Sequence, residues 1–222
     1  MIRRMILPLL FGLVGAAILI SLGTWQLRRM EWKEAILADI EARIVSAPVA
    51  LPASPDADAD RYLPVTATGR FTGERLYVLV SRKQVGAGVR VIEAFDTQGR
   101  RVLVDRGFLP DADKDRALTV TDATVVGNLH WPEEDDGFIP PPDPKTGLWF
   151  ARDADEMAAK LGTEATFIVA REPTGDGIEP LPVDTSAIPN DHWGYAVQWF
   201  SLAAVWLGMT AYLLWRIRRR TV

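Results

Sequence analysis

Two long uncharged runs, one near each end of the chain, constrain the fold more than any other feature of the sequence. They cover residues 5–27 and 192–215, and so contain 23 and 24 residues. At about 1.5 Å of rise per residue, each would form a helix of about 35 Å, which is long enough to cross a hydrocarbon core of about 30 Å. Tryptophan and tyrosine residues flank the runs, as is typical of membrane interfaces. The sequence therefore predicts two transmembrane helices.

Each run also has an alternative interpretation. Arg3 and Arg4 precede the first run, as in a secretory signal peptide, but the run is longer than the usual apolar stretch of about 7–15 residues. The second run could be a buried helix of a soluble protein. Its ending, Arg-Ile-Arg-Arg-Arg at residues 216–220, is more typical of a helix that stops at a charged membrane face. We therefore favour two spans.

The distribution of charge predicts an orientation. Residues 28–191 contain all 29 acidic and 19 basic residues, a net charge of −10, whereas six arginines lie in the two ends. Because Lys and Arg are enriched on the cytoplasmic side, we expect both termini in the cytoplasm and residues 28–191 outside it. Arg28, Arg29 and Lys33 oppose this orientation but are fewer than the terminal arginines. The acidic central segment argues against a nucleic-acid partner.

Residues 28–191 have the pattern of a small β domain. Residues 31–45 carry apolar side chains at helical spacing, so the first span is expected to continue as one long helix. A second helix is predicted at Asp153–Leu161. Runs rich in Val, Phe, Leu and Thr predict strands at Tyr62–Phe71, Arg75–Ser81, Val89–Phe95, Arg101–Leu109, Leu118–His130 and Thr166–Ala170.

The predicted fold class is thus an α+β membrane protein. Transmembrane helices at residues 5–27 and 192–215 flank a small, largely antiparallel β domain at residues 28–191 that has one or two helices of its own.

The sequence lacks the common catalytic motifs. G-x-S-x-G, H-E-x-x-H, the Walker A sequence and G-x-G-x-x-G are all absent. The chain has no cysteine, which excludes disulfides, thiolate metal sites and iron–sulfur clusters. The acidic run Glu133–Asp136 does not have the spacing of a calcium loop and is interpreted as a solvated loop. We therefore expect a protein that is not an enzyme.

The two histidines are the main candidates for binding a transition metal or haem iron. His130 ends a predicted strand, and a structural role is favoured there. His192 begins the second span, and Tyr195 and Trp199 follow on the same helical face.

The first span ends in a comparable group of residues, in which Trp25, Arg28, Arg29 and Trp32 share a face. If the two helix ends are adjacent, an imidazole, guanidiniums and indoles lie together. Such a set suits a porphyrin, because it offers an axial nitrogen, cations for the propionates and flat apolar walls. The alternative is an ordinary aromatic belt with an interfacial histidine.

Two segments carry a resemblance to a known family. Residues 23–33 (GTWQLRRMEWK) and 189–200 (PNDHWGYAVQWF) resemble the two signature segments of the Surfeit locus protein 1 family. Between them, residues 102–108 (VLVDRGF) resemble the strand-plus-Arg-Gly motif of that family, and Gly69-Arg70-Phe71 and Gly127-Asn128-Leu129 resemble two shorter elements. The resemblance covers nearly the whole chain in the same order.

The resemblance implies an assembly factor for haem-copper cytochrome c oxidase that helps deliver or insert haem a into the catalytic subunit, subunit I. It implies that His192 is the ligand of the haem iron and that Trp25, Gln26 and Arg28 belong to the same site. Transiently bound haem a is the implied cofactor. Subunit I is the implied partner, with haem A synthase and membrane lipid as further candidates.

Other functions stay open at this stage. A cofactor-free membrane scaffold or chaperone that stabilises an oxidase assembly intermediate is the main alternative, and a membrane-anchored enzyme is a weaker one. The short N-terminus without an Arg/Ser-rich transit peptide favours a bacterial inner membrane over a mitochondrion.

Overall fold

The computed structural model describes residues 2–83, 85–134, 137–186 and 188–219, with side chains from residue 5 onwards. The chain divides into two compact units. The helical unit consists of residues 1–39 and 185–222, and the β unit consists of residues 40–184.

Three α-helices are present in the described residues: α1 (Ile2–Ile44), α2 (Ala154–Leu161) and α3 (His192–Arg219). The prediction that the first span continues as one long helix is confirmed, since α1 has 43 residues without a break. Pro8 lies inside this helix, in its second turn, and lacks the amide hydrogen that would bond to the carbonyl four residues earlier. Both α1 and α3 are long and apolar enough to cross a membrane.

Within the helical unit, α1 and α3 pack side by side in opposite directions. The indole N–H of Trp206 donates to the carbonyl oxygen of Gly12 at 3.0 Å, and the ring of Phe200 lies against Gly23 near the other end of the contact. Ala196 and Ala203 of α3 are buried. Small residues let the two backbones approach, as in other membrane helix pairs.

The β unit contains the strands β1–β7, which have the following bounds: Val49–Ala50, Pro64–Arg82, Gly86–Thr97, Arg100–Pro110, Asp122–Leu129, Leu148–Trp149 and Phe167–Ala170. Strands β2–β3, β3–β4, β2–β5 and β5–β7 pair antiparallel, while β4–β7 is parallel. These pairings close a ring in the order β2–β3–β4–β7–β5, so the sheet forms a small barrel. The longest pairings are antiparallel, which confirms a largely antiparallel domain.

The strand predictions were wrong in two places. The segments predicted at Tyr62–Phe71 and Arg75–Ser81 form one strand, β2, because the intervening residues make a bulge instead of a turn. The segment predicted from Leu118 begins as a strand only at Asp122. Ahead of it, the carboxylate of Asp176 accepts hydrogen bonds from the backbone amides of Thr119 and Val120, which hold that stretch as a loop.

The core of the β unit has an interior and an outer layer. Val65, Phe71, Phe95 and Val104 belong to the interior, and β5 and β7 contribute Val125, Leu129, Ile168 and Ala170 there. Helix α2 packs on the outside, where its buried residues Ala154, Met157, Ala158 and Leu161 share one apolar cluster with residues of β2, β3, β4 and β7. It is capped by the Asp153 carboxylate, which accepts from the amide of Glu156 at 2.8 Å.

The last turn of α1 belongs to the β unit, and a buried amide holds it in place there. The Asn128 side-chain nitrogen donates to the carbonyl oxygens of Ile44 and Tyr62, both at 2.9 Å. Because helix carbonyls near a C-terminus lack intrahelical partners, this bond satisfies one of them. The Gly-Asn-Leu element noted in the sequence therefore supports the end of the first helix.

Candidate functional site

A polar pair joins the two apolar helices at one end of their contact. The His192 Nδ1 lies 2.8 Å from the Gln26 Oε1. Both residues are half-buried. The two helix ends are adjacent in this unit, which is the condition that the porphyrin hypothesis set, and the imidazole lies against a residue of the first signature segment.

The remaining candidates of α1, Trp25, Arg28 and Arg29, share one face of the helix, and Gln26 lies to one side of that face. At about 100° per residue, Arg29 lies about 60° from Gln26, whereas Arg28 lies about 160° away on the far side. Trp25 is 54% exposed, and Arg28 is exposed. The guanidinium carbon of Arg29 lies 4.4 Å from the centre of the Trp32 ring. Of the two arginines, Arg29 is therefore the one nearer the side of the helix that bears Gln26.

The candidates of α3 share the face of His192. Tyr195 and Trp199 lie within about 60° of His192 around the helix axis. Trp199 is half-buried and Tyr195 is 53% exposed. The helix end thus offers one imidazole and two aromatic rings on a single side, with part of that surface open.

Within the β unit, the strand that carries the Arg-Gly motif contains two buried charges. The Arg106 guanidinium is fully buried, 4.3 Å above the ring of Phe71. It donates to the carboxylates of Glu93 and Asp176, each at 2.8 Å. Burial would raise the pKa of Asp176, but hydrogen bonds from the Thr119 amide and from Arg106 outweigh this effect and lower it.

The neighbouring carboxylate belongs to a second network. Asp105 is fully buried, 2.9 Å from the Arg90 Nε and 3.1 Å from Arg152. Arg152 also pairs with Glu134. Sequence reasoning did not predict that Asp105 and Arg106 are buried. The available signal was an adjacent pair of charges inside the otherwise apolar run VLVDRGF.

The second histidine lies in the β unit beside this second network. The ring of His130 stacks on Tyr62 with centres 5.6 Å apart. Burial, reinforced by the charges of Arg152 and Arg61, lowers its pKa to about 4. The buried Nδ1 has no hydrogen-bond partner. These contacts favour the structural role predicted for His130.

The described part of the chain contains no group of three or more His, Asp or Glu side chains arranged to hold a metal ion. The acidic run is only partly visible, since Asp135 and Asp136 lie outside the described residues, and Glu134 is paired with Arg152. Of the terminal arginines, the side chains of Arg3 and Arg4 and all of Arg220 likewise lie outside them.

These features define a class of protein. Two antiparallel apolar helices, one from each end of the chain, carry a histidine–glutamine pair, and a β barrel with buried ion-pair networks is inserted between them in sequence. Both helices have the length and composition of membrane spans. The protein is a two-span α+β membrane protein.

Comparison with known proteins gives the family. The model of the SURF1 family matches residues 13–204, and the chain belongs to that family. It is 29% identical over 220 residues to the rat Surfeit locus protein 1, covering 88% of this chain and 71% of that protein. It is 33% identical over 215 residues to a SURF1-like protein of Monosiga brevicollis (87% and 82% covered), and 30% identical over 207 residues to a SURF1-like protein of Rickettsia felis (86% and 89% covered).

Proposed function

We propose that the protein is a non-enzymatic assembly factor for haem-copper cytochrome c oxidase, which carries haem a to the catalytic subunit. Membership of the SURF1 family supports an assembly role. The observation that carries the haem proposal is the His192–Gln26 contact at the end of the helix pair. It provides a half-buried imidazole, with one nitrogen already bonded, next to exposed aromatic surface.

The residues of the helical unit fit haem as a cargo. Haem binds through an axial ligand to iron, through cations to its propionates and through flat apolar contacts to its ring. His192 would supply the axial nitrogen, and Trp25, Tyr195 and Trp199 would supply aromatic contacts. Arg29 is the nearer cation for a propionate, and Arg28 is the second candidate. The partial exposure of Trp25 and Tyr195 suits transient binding, because a cargo must also be released.

The proposed function also implies a cellular location. We expect the protein in a bacterial inner membrane with both termini cytoplasmic and the β unit in the periplasm. Subunit I of the oxidase would receive the haem, and haem A synthase would be its source. The proposal includes no catalysed reaction.

The test uses the two histidines as a matched pair. The protein is purified from membranes of cells that make haem a, and bound haem is measured by absorbance and by extraction. We expect His192→Ala to lose most of the haem and His130→Ala to retain it, because His130 is a half-buried residue of the β unit whose ring stacks on Tyr62. Equal haem content in wild type and His192→Ala would exclude His192 as the ligand. A haem-free wild type that still copurifies with subunit I would favour the cofactor-free scaffold instead.

A further inference from the structure

The contact between His192 and Gln26 determines which nitrogen of the imidazole ring carries the proton. The ring nitrogen Nδ1 faces the side-chain oxygen Oε1 of Gln26 at 2.8 Å, which is a normal hydrogen-bond length. A carbonyl oxygen can only accept, so the proton of this bond belongs to Nδ1. A neutral imidazole carries one N–H, and the other nitrogen, Nε2, is then left with its lone pair available.

The surroundings hold the two side chains in this arrangement. Gly23, one turn before Gln26, lies so close to the Phe200 ring that a Cβ there would be 2.8 Å from it. Ala196, one turn after His192, is buried. Because α1 and α3 run antiparallel, these three residues all lie on the side of the polar pair toward the middle of the helix contact, and the helices meet closely there. In an apolar environment the hydrogen bond is expected to persist, because breaking it would leave two polar groups unpaired at a cost in free energy.

We propose that Gln26 is a positioning residue that fixes His192 as the Nδ1–H tautomer and presents the Nε2 lone pair outward as a ligand. Metal-ligating histidines commonly donate their other N–H to an acceptor, which sets ring orientation and raises the basicity of the ligating nitrogen. Here the acceptor comes from the opposite helix, so His192 is held in its ligating orientation only when α1 and α3 are packed against each other. The identity of the metal as haem iron rests on the proposed function, whereas the tautomer does not.

The first experiment reads the tautomer in the haem-free protein. Histidine labelled with nitrogen-15 is incorporated into the full chain in detergent, and ring-nitrogen chemical shifts distinguish protonated from unprotonated nitrogens. The chain has two histidines, so the spectrum contains two rings, and His130→Phe assigns them. We expect His192 to carry its proton on Nδ1. Gln26→Glu, which keeps an acceptor, should preserve that state, whereas Gln26→Leu should give a mixture of tautomers.

The control is a second glutamine. Gln198 is exposed on α3, and Gln198→Leu makes the same chemical change away from the pair. It should leave the His192 signals unchanged. A proton on Nε2 in the wild type would overturn the proposal. Identical His192 ring-nitrogen shifts in the wild type and in Gln26→Leu would also overturn it.

The second experiment measures ligand binding with ferric protoporphyrin IX as the probe. We expect Gln26→Leu to weaken binding about 10–100-fold, the usual effect of losing the partner of a metal-ligating histidine, and Gln26→Glu to restore it. Unchanged affinity in Gln26→Leu, alongside loss of binding in His192→Ala, would overturn the positioning role. A tautomer that depends on Gln26 in a wild type that binds no porphyrin would support the positioning role and overturn the proposed function.

Discussion

At the scale of single residues, the most unusual feature is the positive charge of Arg106, which is fully buried in the barrel. Arg106 has no exposed surface, and its guanidinium pairs with Glu93 and Asp176 while covering the ring of Phe71. Two carboxylates facing one buried cation are stable only while that cation is present. The Arg-Gly motif therefore has a structural explanation that needs no ligand.

Removing the Arg106 guanidinium should strongly destabilise the folded protein. Arg106→Met leaves two carboxylates without their partner, and we expect a loss of about 3–5 kcal/mol in the free energy of unfolding. The measurement is urea unfolding of the detergent-solubilised protein. Arg70→Met is the control, because Arg70 and Asp122 form an ion pair with both side chains more than 60% exposed. That change should cost under about 1 kcal/mol. Similar losses in the two variants would contradict the role given to burial.

His130 predicts how stability depends on pH. Its pKa is lowered to about 4 by burial and by the charges of Arg152, Arg61 and Arg90, against the attraction of Glu134. In the unfolded chain the pKa returns to about 6.5, so the unfolded state binds more protons between pH 6.5 and 4. The free energy of unfolding should therefore fall as the pH falls through this range, by at most about 1.4 kcal/mol per pH unit.

The variant that checks this dependence is His130→Phe, which keeps a ring against Tyr62 but does not titrate. We expect its stability to vary less than that of the wild type between pH 6.5 and 4.5. Unfolding curves at several pH values provide the comparison. Several described carboxyl groups also have lowered pKa values, and their contributions are lost mainly below about pH 5. These groups are Glu134, Asp143, Glu164, Asp176 and Glu179. They are present in both variant and wild type, so the difference between the two proteins reports on His130. Parallel curves for variant and wild type would contradict the prediction.

At the scale of elements, the pairing of α1 with α3 depends on close approach. A Cβ added at Gly15 would lie 2.4 Å from the indole nitrogen of Trp206, which is itself held by its bond to Gly12. Gly15→Ala should therefore force the helices apart and cost about 1–3 kcal/mol. Gly208→Ala is the matched control in α3, because nothing lies within 4 Å of its added Cβ. Thermal unfolding in detergent should show a lower midpoint for Gly15→Ala only.

A second comparison of two glycines tests how closely the backbone packs at Gly107 in the barrel. Gly107 and Gly86 both have positive φ, at +115° and +105°. A Cβ at Gly107 would lie 2.1 Å from the carbonyl oxygen of Glu179, whereas one at Gly86 would meet nothing within 4 Å. Both alanine variants carry backbone strain, of about 1–3 kcal/mol. Gly107→Ala should lose roughly 1–3 kcal/mol more through the clash, and equal losses by urea unfolding would argue against it.

Sequence periodicity predicted the elements better than their connections. The uncharged runs and the helical spacing of residues 31–45 predicted α1 and α3, because composition alone identifies a span. The bulge after Phe71 was not predicted, since Thr72 and Gly73 read equally well as a turn. At the candidate site, the residues on one helix face could be predicted, but the contact through Gln26 depends on how α1 and α3 pack, which one helix does not determine.

At the scale of the whole molecule, the two ends of the chain share one unit and the middle forms the other. An even number of spans would return the chain to its starting side, so the proposed orientation has both termini on one face of the membrane. We propose that this face is the cytoplasmic one, because arginines lie near both termini. The proposed orientation thus depends on charge at the ends and not on the β unit.

The absence of cysteine makes this orientation directly testable. Ala53→Cys places a thiol at an exposed position of the β unit, and Thr221→Cys places one near the C-terminal end of the sequence, next to the terminal arginines. In intact cells with a permeabilised outer membrane, we expect a membrane-impermeant maleimide to label Ala53→Cys and not Thr221→Cys. After lysis both should be labelled, which controls for reactivity. The reverse pattern in intact cells would place the β unit in the cytoplasm, and it would show that Arg28, Arg29 and Lys33 outweigh the terminal arginines.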